Sequence, residues 1–347
     1  MTNKIQKIRF GIIGTNFISD WVIKGAKEDK RFELTAVYSR TKEKAEQFAQ
    51  RHGIPHIFSS IEEMAQSDLI DAVYIASPNS LHCKYSMMFM NCGKNVLCEK
   101  PLASNYSEVK SMVECAKNNN VVLMEAMKPT LTPNFKAVIN SMNNIGTIRN
   151  YFSCYCQYSS RYDKLKEGIV LNAFKPELSN GALMDIGVYT VYPMVVLFGE
   201  PVSIKASGIK LHTGVDGCGS VVFEYPGMMA QIVYSKIADS SLPTEIQGEK
   251  GRIELDRINI ISKAELNKKD NIPVVLTQNE VHDQYFYEVE EFLNLIDIKN
   301  KYLAEGKSIN DHSIIESKIN SLNNSLICIK VLDEIRKQIG VVYPSDC

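Results

Sequence analysis

The chain has 347 residues, of which 45% are hydrophobic and 23% are charged, and its formal net charge is −1. This length exceeds the size at which single cores stop growing, so we expect two domains, and the balanced charge argues against a protein that binds nucleic acid or a membrane surface. The nine cysteines show no CxxC pair or metal-type spacing, and the amino terminus has no signal-peptide core. We therefore expect a reduced, cytoplasmic protein with a small-molecule partner and no metal site.

Short apolar runs alternate with segments of helical period from Lys7 to Glu125. The runs are IRFGIIG, ELTAVYS, DAVYIAS, KNVLCE and VVLMEA. Such alternation predicts an α/β fold in which crossover helices connect a parallel sheet. We place the end of this domain near Lys128 and Pro129, so that it covers residues 1–128.

The first run leads into GIIGTNFIS, where Gly14 opens a turn and a helix begins near Ile18. Backbone amides at such a helix start can bind a pyrophosphate. Asn16 and Ser19 replace two glycines of the dinucleotide-binding fingerprint, but asparagine tolerates positive φ and serine is small. A plain strand-to-helix turn is the alternative. The candidate cofactor contacts here are Gly14, Thr15, Asn16, Phe17 and Ile18.

The second run ends in a polar segment with no carboxylate directly after it. Ser39, Arg40, Thr41 and Lys44 offer hydroxyl and cationic donors where an NAD site would usually present an acidic residue. A guanidinium can engage a 2′-phosphate with two hydrogen bonds, so these four residues favour NADP over NAD. The alternative is that the two cations are solvated charges at a helix start.

The third run is followed by Ser77, Pro78, Asn79 and His82, which form a polar break before a helix. Because ligands collect at the carboxyl ends of parallel strands, all four are candidate cofactor contacts. His82 taken alone is equally compatible with a surface or capping histidine.

The segment CGKNVLCEKPLA presents Lys100 directly after an apolar run and before Pro101. Proline pushes the preceding residue out of the helical region, so Lys100 should lie in extended backbone at the end of a strand. We expect a reaction site there, with Glu99, Lys100 and Glu125 also near the cofactor. A solvated surface lysine is the alternative.

Beyond residue 128 the pattern changes to strands of period two joined by tight turns. The runs VVFEY, MAQIVYS, TEIQ and RIEL predict antiparallel hairpins. Helical periods follow at about residues 284–299 and 312–338. We assign residues 129–347 to a second domain.

Several motifs together resemble the glucose–fructose oxidoreductase/inositol dehydrogenase/rhizopine-catabolism (Gfo/Idh/MocA) family. The matching stretches are GIIGTNFIS, AVYSRTKEKAEQFA, VYIASPNSLH, GKNVLCEKPLA, GALMDIGVY and EIQGEKGRIEL. The resemblance implies a Rossmann doubly wound parallel sheet followed by an α/β domain with a large, mostly antiparallel open sheet, which commonly mediates oligomerisation. We therefore expect a homo-oligomer, a dimer or a tetramer.

The resemblance also implies catalytic residues. Lys100 matches the family's catalytic-pocket lysine, and GALMDIGVY supplies Asp185 and, four residues on, Tyr189, where the family usually has histidine. Tyrosine there is similar to the dihydrodiol dehydrogenase and NADP-linked xylose dehydrogenase branch, in which it serves as acid/base. Lys128 and the two residues after it depart from that branch, which leaves the substrate open.

The chemistry of these groups fits a dehydrogenase. Removing a hydride from an alcohol carbon requires a group that accepts the hydroxyl proton, and an ammonium such as that of Lys100 would favour the phenolate of Tyr189. In a helix, Asp185 and Tyr189 project from one face. The alternative is that Asp185 caps a helix and that Tyr189 fills a gap between the domains with its hydroxyl satisfied.

We expect an NAD(P)-dependent oxidoreductase, NADP favoured and NAD possible, that acts on a sugar, polyol or cyclic diol. Two alternatives remain at this stage. One is a catalytically silent NADP-binding sensor of the same fold. The other is redox-assisted elimination or glycoside cleavage, in which the nicotinamide is restored in each cycle.

Overall fold

The computed structural model describes residues 6–269 and 271–347, and the chain forms two compact units. The first unit comprises Met1–Ala103, Ser107–Lys128 and His282–Leu322. The second unit comprises Ser104–Tyr106, Pro129–Val281 and Asn323–Cys347. The sequence predicted a division into residues 1–128 and 129–347. It did not predict that residues 282–322 belong to the first unit.

The first unit contains a six-stranded parallel sheet in the order β3-β2-β1-β4-β5-β6. Its strands are β1 Ile8–Ile13, β2 Phe32–Tyr38, β3 His56–Phe58, β4 Ala72–Ile75, β5 Asn95–Glu99 and β6 Leu123–Ala126. Its helices are α1 Phe17–Ala26, α2 Lys42–His52, α3 Ile61–Gln66, α4 His82–Asn91, α5 Tyr106–Asn119 and α9 Phe286–Ala304. This order is that of a Rossmann sheet, which confirms the predicted fold. The short edge strand β3 was not predicted, because two of its three residues are exposed.

Helix α9 explains why the chain returns to the first unit. Phe292 is fully buried, and its ring centroid lies 5.9 Å from that of Phe10 on β1. Arg31 donates to Asp297 at 2.6 Å and so ties this helix to the start of β2. A helix buries its apolar stripe against whichever layer is next to it. Periodicity predicted the helix but could not show which sheet it covers.

The second unit contains an eight-stranded sheet in the order β14-β13-β12-β11-β7-β10-β9-β8. Its strands are β7 Ile148–Cys156, β8 Ser203–Lys210, β9 Asp216–Tyr225, β10 Met228–Ser235, β11 Thr244–Gly248, β12 Gly251–Leu255, β13 Ala264–Asn267 and β14 Val274–Val275. Its helices are α6 Pro133–Ser141, α7 Ser160–Lys166, α8 Val188–Phe198 and α10 Leu322–Ile339. The predicted hairpins β9–β10 and β11–β12 are antiparallel, as expected.

One pair of strands in this sheet is parallel. β7 and β10 run side by side in the same direction, with Tyr155 opposite Tyr234 and Cys156 opposite Ser235. Both strands therefore end at the same edge of the sheet. The sequence analysis predicted antiparallel hairpins in this half and did not identify this pair.

The apolar stretch Pro176–Phe198 leads into and includes α8. By length and composition it could cross a membrane, but 72% of its most apolar window is buried inside the protein. Tyr151 of β7 is fully buried and donates to the backbone oxygen of Thr190 at 3.2 Å. These contacts make the stretch part of the core over the β7–β10 pair.

Candidate active site

The turn after β1 requires glycine. Gly14 has a φ of 101°, and a Cβ atom there would overlap with the carbonyl oxygen of Ala76 just beyond β4. Ser19 on α1 is fully buried and its Oγ donates to the Gly14 oxygen at 2.7 Å. A small side chain is therefore needed at this helix–strand contact, and serine supplies it.

Asn16 caps α1 instead of adopting positive φ. Its φ is −96°, and its Oδ1 accepts the backbone N–H of Ile18 at 2.9 Å and that of Ser19 at 3.4 Å. Its amide nitrogen donates to Ala76 O at 3.2 Å. The argument from positive φ was wrong for this residue, and its side chain already holds the Ile18 amide that we expected to face a pyrophosphate. Cofactor contacts at residues 14–18 stay a prediction.

The segment after β2 gathers the donors that the sequence singled out. Ser39 is half-buried, whereas Arg40, Thr41 and Lys44 are exposed. The Thr41 N–H donates to Ser39 Oγ at 3.4 Å, and Thr41 stands at the N-cap of α2 without a side-chain capping bond. Ser39, Arg40 and Thr41 lie in the connection at the carboxyl end of β2, and Lys44 lies in the first turn of α2. Their contact with a 2′-phosphate stays a prediction.

His82 lies in the interior, and its contact with a cofactor stays a prediction. It is 1% exposed, and its Nδ1 and Nε2 each lie 2.9 Å from a backbone oxygen, those of Pro101 and Ser77. Burial lowers the pKa of the imidazole, although both carbonyls favour its protonated form. His82 therefore joins the break after β4 to the segment that follows β5. Pro78 and Asn79 are half-buried in that break.

The residues around Lys100 are held from several sides. Tyr74 of β4 donates to Glu99 Oε1 at 2.5 Å, and the backbone N–H of Lys100 lies 3.2 Å from Glu99 Oε2. Burial raises the pKa of the Glu99 carboxyl, whereas the neighbouring Lys100 ammonium lowers it. Glu125, 2% exposed, accepts the Leu102 N–H at 3.0 Å. Lys100 itself is half-buried directly after β5, and its peptide bond to Pro101 is cis.

In the second unit, Asp185 forms an ion pair that the sequence analysis missed. Asp185 lies in a single turn of π-helix, Leu183–Gly187, and its Oδ2 pairs with Lys236 Nζ. The Lys236 side chain is 5% exposed and the Asp185 side chain 34%. Lys236 follows β10 directly, so the carboxyl end of this strand supplies a buried ammonium. Lys236 directly follows the apolar run MAQIVYS, just as Lys100 directly follows the run KNVLCE.

Asp216 fixes the chain that carries Asp185. It is 1% exposed, and its Oδ2 accepts the Leu183 N–H at 2.7 Å. A Cβ atom at Gly181, whose φ is 146°, would overlap with the other carboxylate oxygen. Burial raises the pKa of Asp216 to about 6. The close approach of this buried carboxylate thus explains the first glycine of GALMDIGVY, Gly181.

Tyr189 lies in the first turn of α8, directly after the π turn, and is half-buried. Its ring makes an edge contact with Tyr155, with centroids 5.8 Å apart. Tyr155 is on β7, so Asp185 and Tyr189 both contact residues from the ends of the parallel pair β7–β10. Turns of π-helix are frequent at functional sites. The helical expectation for this segment is met, with this irregular turn at its start.

The chain is similar to known proteins over nearly its whole length. A family model described as "Oxidoreductase family, NAD-binding Rossmann fold" matches residues 8–127, and the GFO/IDH/MocA C-terminal domain matches residues 136–254. The scyllo-inositol 2-dehydrogenase (NADP(+)) IolU of Bacillus subtilis is 50% identical over 98% of this chain and 99% of its own length. The trans-1,2-dihydrobenzene-1,2-diol dehydrogenase of Danio rerio is 31% identical over 91% of this chain and 92% of its own.

A similar fold is found among solved structures. The 3-ketoreductase KijD10 of Actinomadura kijaniata, in complex with NADP and TDP-benzene, superimposes with a TM-score of 0.79 at 21% identity. The match covers 97% of this chain and 99% of that one. At this identity the likeness establishes the fold alone.

Proposed function

This chain belongs to the Gfo/Idh/MocA family of oxidoreductases, and we propose that it is an NADP-dependent dehydrogenase of a cyclic polyol such as an inositol. As an NAD(P)-dependent enzyme acting on CH–OH groups, it transfers a hydride between nicotinamide and a hydroxyl or carbonyl carbon. The finer assignment is supported by a relative that is 50% identical and is named an NADP-dependent scyllo-inositol dehydrogenase.

The connection after β2 is the observation that carries the cofactor preference. Ser39, Arg40 and Thr41 place two hydroxyls and one cation in the connection, which contains no carboxylate, and Lys44 adds a second cation from the first turn of α2. A 2′-phosphate needs donors and positive charge, whereas the 2′-hydroxyl of NAD is usually bound by an acidic residue. The Gly14 turn would let the backbone approach a pyrophosphate closely. These residues fit NADP.

The protein's part in the reaction is to bind the substrate and to move a proton. NADP, when bound, accepts the hydride or supplies it. We assign the substrate hydroxyl proton to the Tyr189 phenol, with the Lys100 ammonium favouring its ionised form. Asp185, which pairs with Lys236, would accept a hydrogen bond from a second hydroxyl of the polyol. A cyclic polyol offers such neighbouring hydroxyls.

The activity is tested by following nicotinamide absorbance with scyllo-inositol, myo-inositol and a trans-dihydrodiol as substrates. We expect turnover of at least one inositol with NADP. Tyr189→Phe should lower kcat by about 100-fold or more, because it removes the proton acceptor. Tyr155→Phe, which changes the ring next to it, is the matched control. Binding of NADP without turnover of any polyol would favour the silent sensor instead.

The cofactor preference is tested by Arg40→Ala. We expect the KM for NADP to rise by about 10-fold or more and the KM for NAD to change little, since only NADP carries the phosphate. Lys42→Ala, an exposed cation in the first turn of α2 that pairs with Glu46, is the control. Equal losses for both cofactors would contradict the phosphate assignment.

Two further properties belong to this proposal. We propose a reducing, cytoplasmic location, which is supported by nine cysteines that are all unbridged. We also propose a homo-oligomer that uses the sheet face bearing Phe152, Val233 and Met229. Met229 is 43% exposed and the other two are half-buried. Light scattering of the purified wild type and of Val233→Lys tests the proposed homo-oligomer. A monomeric wild type would contradict it.

A further inference from the structure

A polar pocket opens at the amino-terminal edge of the parallel sheet in the first unit. Its volume is about 400 Å³, which lies within the range of small-molecule sites. The segments that lead into β1, β4 and β5 line it, together with the carboxyl-terminal half of α9. The predicted cofactor contacts follow the other ends of these strands, about 15 Å away by strand length. The pocket is therefore a separate place on the same unit.

Lys299 of α9 supplies a buried positive charge to this pocket. It is 7% exposed, and its Nζ donates to Asn95 Oδ1 at 2.6 Å. Among the residues that the structure describes, no carboxylate lies within ion-pair distance of this ammonium. An ammonium has three N–H groups, so two of them have no acceptor in the described part of the chain and can donate to a ligand. Burial lowers the pKa of Lys299 to about 8, although the Asp71 carboxylate opposes this.

Asn95, the first residue of β5, holds the Lys299 ammonium in place. It is 3% exposed, and its Oδ1 also accepts the backbone N–H of Val122 at 3.0 Å. Its amide nitrogen donates to the backbone oxygen of Asp71 at 3.0 Å. Both lone pairs of the Asn95 oxygen are thus in use. The position of the ammonium is therefore fixed before any ligand arrives, and Asn95 cannot satisfy its remaining N–H groups.

A second lysine of the pocket, Lys94, also lacks a carboxylate partner. It is half-buried, and its Nζ donates to the backbone oxygen of Ser67 at 2.7 Å. The pocket carboxylate of Asp71 is taken by Arg9, whose Nε and Nη2 donate to its two oxygens at 2.9 and 2.6 Å. Such a bidentate pair cancels its own charge. The charge of Lys94 therefore stays available to a ligand.

We propose that this pocket binds the phosphate group of a small ligand, either inorganic phosphate or a small phosphorylated metabolite, through Lys299 and Lys94. Apart from the Arg9–Asp71 pair, the charged residues of the lining are Lys7, Lys94 and Lys299 against one carboxylate, that of Asp68. The excess of two positive charges matches a phosphate dianion, which accepts hydrogen bonds from ammonium groups. The inference is independent of the proposed function, because it involves none of the residues assigned to the cofactor or the reaction.

The experiment titrates the full chain, saturated with NADPH, with inorganic phosphate and with glycerol 3-phosphate in an isothermal calorimeter. Saturation keeps phosphate out of the cofactor site. It is checked with Trp21 of α1, the single tryptophan of the chain, since reduced nicotinamide absorbs where tryptophan emits and quenches it. We expect one phosphate site per chain. Equal affinities would identify inorganic phosphate as the ligand, and tighter binding of glycerol 3-phosphate would identify a phosphorylated metabolite; both support the site.

Two variants assign the binding to the pocket. Lys299→Met should raise the Kd for phosphate by about 10-fold or more, because it removes a charged donor from a buried position. Lys94→Met, at a half-buried position, should raise it by about 3-fold, and it keeps the test open if Lys299→Met does not fold. Lys110→Met, a change to an exposed lysine on α5, is the control. Unchanged binding in both variants, or binding by wild type only without NADPH, would overturn the proposal.

Thermal unfolding separates a ligand-binding lysine from a structural one. Phosphate should raise the Tm of wild type, because it binds only the folded chain, and it should leave the Tm of Lys299→Met unchanged. Without phosphate, Lys299→Met should be at least as stable as wild type, since a buried ammonium without a carboxylate is costly and Asn95 Oδ1 keeps the Val122 N–H. A variant with a lower Tm that phosphate raises as much as in wild type would contradict the site.

Discussion

The two sheets place a lysine and a carboxylate together at the ends of parallel strands, but they do so differently. In the first unit, β5 ends in Glu99 and Lys100, and Glu99 is held by Tyr74 of the parallel neighbour β4. In the second unit, β10 is followed by Lys236, which pairs with Asp185 of the π turn. The second sheet is mostly antiparallel, yet its one identified parallel pair, β7–β10, carries this site. Parallel pairing, and not the class of sheet, gathers strand ends into a site.

Removal of the strand-ending lysine should have the largest effect in the first unit. We expect Lys100→Met to lower kcat by about 1,000-fold, because it removes the charge proposed to favour the tyrosine phenolate. NADPH binding, measured through Trp21 fluorescence, should persist, since the Gly14 turn and the β2 connection are unchanged. A variant that retains more than about one tenth of wild-type kcat would contradict the proposed role of Lys100 in the reaction, because the lysine would then be structural.

The ion pair in the second unit should respond asymmetrically to removal of its two members. Asp185→Asn leaves the Lys236 ammonium buried without its partner, so we expect a loss of about 3 kcal/mol in the free energy of unfolding. Lys236→Met leaves the Asp185 side chain, 34% exposed, in contact with water, so a loss of about 1 kcal/mol is expected. Urea denaturation of both variants measures this. Equal losses would mean that the burial of the lysine does not matter.

Asp216 holds the segment that carries Asp185, so the stability of the Asp216→Asn variant as a function of pH tests the second-unit site. The folded pKa of Asp216 is about 6, above its usual 3.8. Its contribution to stability is therefore full below about pH 4 and is lost as the pH rises through about 6, a total of about 3 kcal/mol. Asparagine cannot ionise, so the free energy of unfolding of the variant, relative to that of wild type, should rise by this amount between pH 4 and 7. A constant difference would contradict the raised pKa.

The sequence predicted the first sheet well, because buried parallel strands are continuous apolar runs with clear helix signals between them. Lys100 was identified by the same logic, as a charged residue after such a run and before a proline. Lys236 has an equivalent position after MAQIVYS, and it was missed because that run was interpreted as half of a hairpin. The hairpin is present, but the other neighbour of β10 is β7, which is distant in sequence.

Other features could not be predicted because they depend on contacts between distant segments. His82 looked like a residue at a ligand edge, yet both of its ring nitrogens face backbone oxygens. Lys128 looked like a departure from a family pattern, and its partners Gln284 and Tyr285, just before α9, lie more than 150 residues further along the chain. The Tyr189→Phe and Lys100→Met measurements test the prediction that both residues act on one substrate.

The interleaving of the two units has a consequence for how the protein is made. The core of the nucleotide-binding half contains Phe292, which the ribosome adds only after all eight strands of the second sheet have been synthesised. The amino-terminal half must therefore wait, with Phe10 incompletely covered, until residues 282–322 emerge. Any attempt to express the halves separately should include this late segment with the early one, joined by a linker in place of the intervening chain.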